Sequence, residues 1–307
     1  VKSSIMKADG TTLDSYTTKY KTYFEENGTA EQDPQDWWQG IVANTKQLTD
    51  NNPGIREKIA GIGISGHMLG CLPVDKDGNV LHRHMLHADA RAQKQFYEVQ
   101  KLVGADTVYA TTGNILDPKA TLCKIMWVKE NLPEVYAKTE KFLQSKDYIV
   151  YKLTGNISST DFSDASHAQL LDVNKKAYSD SIIKTVGIDM AKLPEVHAGI
   201  DVVGKLTGEA AAAMGLCEGI PVVAGGGDGA CANIGAGVAS PGDTYCCLGT
   251  TAWLAAVVEQ AYIDPKKRIF NIMTLDGDNC ALFGTMQCAG RSIDWTAGLF
   301  DEGLKTF

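Results

Sequence analysis

The sequence has no basic run longer than the three residues Lys266-Lys267-Arg268, no apolar run of membrane-spanning length and no C-x-x-C pair. Each absence excludes something. Lys and Arg number 29 against 37 Asp and Glu, a net charge of −8. Such a chain neutralises few phosphates and makes a poor general nucleic-acid binder. Nothing in it holds a protein to an anionic membrane surface. The longest stretch free of Asp, Glu, Lys and Arg runs from Ile59 to Val74 and includes His67 and Pro73. It falls short of the ~18 apolar residues that a spanning helix requires. Neither nucleic acid nor membrane is therefore an expected partner. Val1 stands where an initiating Met would, and the first residues show no signal-peptide pattern, so a processed or incomplete polypeptide is expected. The eight cysteines read as buried, reduced thiols of a cytoplasmic protein, because no export signal accompanies them. His82 and His84 alternate on a predicted strand and His87 follows. No Cys or acidic ligand lies near them at zinc spacing, so they read as solvated, and no metal ligands are assigned.

What is present is globular. Hydrophobic residues make up 44% and charged residues 21% of 307. That length predicts about two domains. Asp9-Gly10 and Asp77-Gly78 predict two hairpins, since Asp-Gly supplies positive φ cheaply. Between them Asp33 is placed to cap a helix, with Pro34 at its first position and Trp37, Trp38, Ile41, Val42 and Leu48 on its apolar face. A buried strand follows over Ile59 to Ser65. Helices are predicted over Ala88–Val103, Leu122–Glu130, Lys146–Thr154, Tyr178–Val186 and Glu209–Met214. Strand Ile220 to Ala224 runs into Gly225-Gly226-Gly227-Asp228-Gly229, then a helix to Gly237. Thr244 to Val258 forms a hairpin around Gly249-Thr250-Thr251, and a last helix begins at Ser292. The pattern is α/β, with a domain boundary near Gly219 that gives domains 1–218 and 219–307.

Gly227 to Ala232 fits G-x-G-x-x-A after a strand, the dinucleotide pattern. Asp228 argues against that use. It would sit where a pyrophosphate belongs, and like charges about 4 Å apart cost roughly 4 kcal/mol at an effective dielectric of 20. A carboxylate on a glycine-rich turn at a strand end is better read as a proton acceptor beside a closely approaching substrate. Capping of the following helix is the plainer role, and the two are compatible. Gly249-Thr250-Thr251 is a donor-rich bend of the kind that binds phosphate oxygens, or an ordinary hairpin turn.

Taken in order, several segments resemble the FGGY carbohydrate kinases, and among them the xylulokinase-type members. They are Glu31-Gln32-Asp33-Pro34-Gln35-Asp36-Trp37-Trp38, Gly61-Ile62-Gly63-Ile64-Ser65-Gly66-His67-Met68, Asp89-Ala90-Arg91, Lys146-Asp147-Tyr148, Leu153-Thr154-Gly155, Ser163-Asp164-Ala165-Ser166, Pro221 to Asp228 and Leu248-Gly249-Thr250-Thr251. The resemblance implies an actin-like, ribonuclease H-like two-domain fold, with the second domain incomplete. It implies transfer of the ATP γ-phosphate to a hydroxyl of a small sugar, D-xylulose foremost, with Mg²⁺. It places the catalytic base on Asp228, sugar contacts on His67, Met68, Asp89, Arg91 and Gly229, and the phosphate loop on Gly249, Thr250 and Thr251. A homodimer is expected on the same ground and from the frequency of twofold dimers.

Some positions depart from the family pattern. His67 and Leu69 replace the Gln and His of G-Q-M-H-G, His87 replaces a Trp, and Gly229 replaces an Asn after the base. Each swap changes the pocket's hydrogen bonding, so another pentulose, a polyol or a sugar acid such as gluconate is an alternative substrate. A catalytically inactive sugar-binding homologue and a non-metabolic actin-like ATPase are alternative functions. The family's first phosphate loop, D-x-G-T-T, and its adenosine-binding segment have no match here, so this polypeptide by itself is expected to turn over ATP poorly.

Overall fold

The chain opens as its first Asp-Gly pair predicts. Strands Lys2–Met6 and Thr12–Thr17 pair antiparallel, with Gly10 at positive φ in the turn. The structure is a computed structural model and describes residues 1–26, 28–249, 251–286 and 288–299. Helix Pro34–Asn51 begins at Asp33, whose side chain accepts from the Gln35 N–H, and Trp37 and Leu48 are buried on its inner face. Strand Ala30–Gln32 leads into it and pairs with His84–Met85. The second hairpin turns at Asp75 to Asn79, where Asp75 Oδ1 accepts from the Asp77 and Asn79 amides.

The strand predicted over Ile59 to Ser65 is only partly formed. Ile62 bridges Val222, and Ser65–Gly66 pairs in parallel with Gly226–Gly227. Gly61, Gly63 and Ser65 are exposed, not buried. One edge of this segment is paired and its outward-facing residues meet solvent, which explains the correction. Strand Val202–Lys205 flanks Pro221–Val223 on its other side. Antiparallel strands Thr244–Leu248, Ala252–Val258, Cys280–Met286 and Phe270–Met273 form a four-stranded sheet in that spatial order.

The predicted helices are present with shifted ends. Helix Gln93–Leu102 starts later than the expected Ala88, because Asp89 and Arg91 turn toward each other in the preceding loop. Helices Thr121–Asn131, Ser145–Thr154, Phe162–His167, Asp180–Thr185 and Gly208–Met214 follow. One core gathers Cys71, Leu122, Ile125, Phe142 and Ile182; another gathers Trp37, Leu72, Tyr148, Leu153 and Val222. A third joins Met68 to Ala230, Ala255, Ile272 and Phe283 of the later segment. The cysteines are free thiols, but only Cys71, Cys123 and Cys280 are buried; Cys217, Cys246 and Cys288 are exposed. Cys246 stands on the outward row of its strand, which an apolar reading of Tyr245-Cys246-Cys247-Leu248 did not separate from the inward row.

Candidate active site

Gly225 makes the turn before Asp228 possible. Its φ is 75°, and a Cβ there would collide with the Ile64 carbonyl. Gly226 and Gly227 then lie in register with Ser65 and Gly66. Helix Asp228–Gly235 starts at the carboxylate itself, with extended Gly227 in the capping position. Asp228 Oδ1 accepts from its neighbour, the Gly229 N–H, at 2.9 Å. Asp228 is therefore the first helical residue and not the N-cap: the cap falls one residue earlier, and Asp228 keeps part of its surface exposed. The protein around it disfavours the charged form and raises its pKa, against the Gly229 N–H and the nearby His87, which lower it. A carboxyl so placed is suited to accept a proton.

His67 and Met68 leave the adjacent strand end. His67 is held from both ring nitrogens: Nδ1 lies 2.7 Å from Ser145 Oγ and Nε2 lies 3.2 Å from Gln32 Oε1. Gln32 Oε1 also accepts from Trp37 Nε1 at 3.1 Å, while Gln32 Nε2 donates to Thr22 Oγ1, which fixes the amide's orientation. His67 thus donates through Nε2 and accepts at Nδ1 as a neutral ring, and burial lowers its pKa to about 4. The ring stacks on His84 at 5.0 Å, and His87 stands 6.3 Å away, edge-on. His84 is not solvated as its alternation suggested. It is fully buried, with Trp37 5.0 Å away in edge contact, and neither of its ring nitrogens has a hydrogen-bond partner among the described residues. Burial drives its pKa well down, so it too is neutral.

Met68 is buried against Gly227 and Gly229 and joins the strand end to the Asp228 turn. A Cβ at Gly229 would meet Met68 and Ile272 at ordinary van der Waals distances of 3.6 and 3.7 Å. Asp89 and Arg91 are occupied with each other. Asp89 is wholly buried and accepts from the Ala30 amide and from Arg91, whose Nη2 also reaches Glu31 at 2.5 Å. Arg91 further stacks its guanidinium 4.9 Å over Trp127. This ion pair supports the wall of the site from behind.

The strands Thr244–Leu248 and Ala252–Val258 carry the predicted phosphate bend at their tip. Gly249 and Thr251 are exposed there, and the Gly249 N–H closes the turn on the Thr251 carbonyl. Thr250 lies outside the described residues. The residue types fit phosphate. No group of three or more His, Cys, Asp or Glu side chains able to hold a metal occurs among the described residues. Mg²⁺ brought by a nucleotide takes its ligands mainly from phosphate oxygens and water, with one or two carboxylates.

Two groups of supporting residues escaped the sequence reading. Lys124 is fully buried, with Nζ on the carbonyls of Leu69 (2.6 Å) and Leu86 (2.5 Å), so it ties both sides of the His67–His87 wall. Burial lowers its pKa to about 8. Lys146 is buried among Asp147 (2.5 Å), Asp161 (3.0 Å) and Asp164 (3.4 Å). Its motif was visible, but lysines are seldom buried and its partners Asp161 and Asp164 are distant in sequence.

Residues 1–235 match the N-terminal domain of the FGGY family of carbohydrate kinases. The chain is 33% identical to a xylulose kinase of Bacillus subtilis (strain 168), over 96% of its own length and 59% of the relative's. Against a xylulose kinase of Escherichia coli (strain K12) it is 30% identical, over 97% and 60%. It is also 24% identical to a gluconokinase of Bacillus subtilis (strain 168), over 96% and 56%. The crystal structure of a xylulose kinase from Rhodospirillum rubrum superposes with a TM-score of 0.90 at 25% identity, over 96% of this chain and 60% of that one. The chain thus spans about three-fifths of the length of the relatives it matches. The mixed α/β fold is that of the actin-like sugar kinases, and the chain belongs to the FGGY family of carbohydrate kinases.

Proposed function

We propose that this chain carries the sugar site and the base of an ATP-dependent kinase. The enzyme transfers the γ-phosphate to a hydroxyl of a small sugar, D-xylulose foremost, to give D-xylulose 5-phosphate. The carrying observation is the Asp228 carboxylate, raised in pKa and open to solvent, at the strand end that Met68 and Gly227 share. In the reaction, the sugar hydroxyl gives its proton to Asp228 as its oxygen bonds to the γ-phosphorus, and the bond from that phosphorus to the leaving ADP breaks. Such transfer asks the protein mainly for position and charge. His67, Met68 and Gly229 line the sugar side. Asp89 and Arg91 act from behind the wall. Gly249, Thr250 and Thr251 are the residues that would bind the phosphates of ATP, and Mg²⁺ would supply charge neutralisation on those phosphates.

A sugar acid is the second reading. Lys119 is exposed and adds to the lowering of the His87 pKa, which offers a cation near His87 to a sugar acid's carboxylate. The 24% identical gluconokinase supports keeping it. The test is a panel of D-xylulose, L-xylulose, D-ribulose, L-ribulose, gluconate, glycerol and erythritol, coupled to ADP release. It uses the protein expressed from its intact gene. D-xylulose should be preferred, and Asp228→Ala should abolish transfer while sugar binding persists. Near-normal turnover in Asp228→Ala removes Asp228 as base. Preference for gluconate, lost in Lys119→Ala, selects the second reading, and no turnover on the panel overturns both.

A further inference from the structure

Gly227, the residue before Asp228, is tethered to a buried ion cluster through one serine. The Gly227 N–H donates to Ser163 Oγ at 3.0 Å. Ser163 Oγ donates in turn to Asp161 Oδ2 at 2.5 Å, and Asp161 Oδ1 lies 3.0 Å from Lys146 Nζ. Ser163 and Asp161 are fully buried, and Lys146 nearly so. A hydroxyl has a single proton. With that proton committed to a carboxylate, the oxygen can only present lone pairs to Gly227. The carboxylate makes its bond charge-assisted, and Lys146 holds the carboxylate in place. The Gly227 amide therefore has one acceptor in one direction.

We propose that Ser163 is a positioning residue for phosphoryl transfer: it fixes Gly227, and so the direction in which the Asp228 carboxylate leaves the strand end toward the sugar. This rests on the reading of Asp228 as the base. A base must lie within about 2.6–3.2 Å of the proton it takes, and a 1 Å misplacement costs on the order of 100-fold in rate.

The same helix, Phe162–His167, contains an internal comparator. Ser166 is equally buried, and its Oγ accepts from the Met273 N–H at 3.0 Å and donates to the Ser163 carbonyl. Removing either hydroxyl deletes one acceptor for a buried amide. Only one of the two amides adjoins the base.

The experiment measures steady-state kinetics with ATP and D-xylulose, sugar binding by tryptophan fluorescence, and Tm, in the protein expressed from its intact gene. Ser163→Ala should lower kcat about 10- to 100-fold, with KM and the sugar dissociation constant within about twofold. Ser166→Ala should lower Tm by a similar amount, with kcat within about threefold. Should Ser163→Ala not accumulate as folded protein, Ser163→Cys replaces it: the weaker acceptor should lower kcat about 3- to 10-fold. Equal losses of kcat in the two serine variants overturn the proposal, as does unchanged kcat in Ser163→Ala or Ser163→Cys beside an inactive Asp228→Ala. Wild type without turnover, or Asp228→Ala with near-normal turnover, overturns the base assignment and this proposal with it.

Discussion

Met68 lies directly under Gly227: a Cβ built on that glycine would stand 2.6 Å from the methionine's side-chain atoms. The contact joins the strand end near Ser65 to the turn that presents Asp228, and both residues are buried. Gly227→Ala forces Met68 or the turn to move. Overpacking of this kind costs about 1–3 kcal/mol, and whatever Met68 does not absorb falls on the turn that presents Asp228. The expected result is a modest fall in Tm with a much larger fall in kcat. Met68→Ala in the same background relieves the collision, so it should restore part of the lost kcat even while adding a cavity. If the double variant is no more active than Gly227→Ala, the contact does not control the turn.

The acidic side of the pH–rate profile should report Asp228. The base works only when ionised, so kcat/KM falls as pH drops through its pKa in the free enzyme. That pKa is raised by the protein around it, and it is lowered by the Gly229 N–H and by His87. The limb should therefore lie above the ordinary Asp value of ~3.9. His87 is edge-on to His67, and partial desolvation, then Lys124 and Lys119, lower its own pKa, while Asp228 raises it. Removing the imidazole with His87→Ala takes away its favourable charge and should move the limb upward. A limb unmoved in His87→Ala would show that the ring does not act on the base.

The Asp228 turn was legible because only a glycine-rich strand end accommodates such close approach, and the Asp33–Pro34 helix start because cap and proline are local signals. His84 was not. Its exposure is decided by His67, which stacks on it, and Trp37, which meets it edge-on, both from other parts of the chain, so alternation within its own strand carried no information about burial. Ser163 and Lys146 stood in recognisable motifs. Their roles depend on the hydrogen bond from Gly227 to Ser163 and the ion pair of Lys146 with Asp161, contacts between separate elements that no spacing encodes.

Arg91 tests whether the Asp-x-Arg motif binds sugar or supports the wall. Asp89 is fully buried and Arg91 is its charge partner, with Glu31 as the second acceptor. Breaking a buried pair from one side leaves an uncompensated charge and costs about 3–5 kcal/mol. Arg91→Ala should lose this much in denaturant unfolding. Arg91→Lys should recover only a part, since an ammonium cannot span Asp89 and Glu31 as the guanidinium does. A variant with wild-type stability and a sharply raised sugar KM would instead make Arg91 a substrate contact.

Asp164 supplies a pH-dependent stability effect opposite in sign to the usual acid unfolding. Neither of its buried oxygens has a hydrogen-bond partner among the described residues, and Lys146 Nζ is 3.4 Å away. Burial, together with Asp161, Asp147 and Asp228, raises its pKa well above the ordinary value, while Lys146 opposes the rise. The folded state therefore binds the Asp164 proton more tightly than the unfolded chain, whose pKa is ~3.9. Its contribution is fully present below about pH 4 and is lost as pH rises through the folded pKa. Asp164→Asn mimics the protonated form at every pH. Its urea midpoint should match wild type near pH 4 and exceed it increasingly toward pH 8. Lys146→Met is the converse, since it leaves Asp147 and Asp161 without their cation and should cost about 3–5 kcal/mol at neutral pH. If Asp164→Asn is instead destabilised at neutral pH and equal to wild type only in acid, Asp164 is ionised in the folded protein and paired with Lys146.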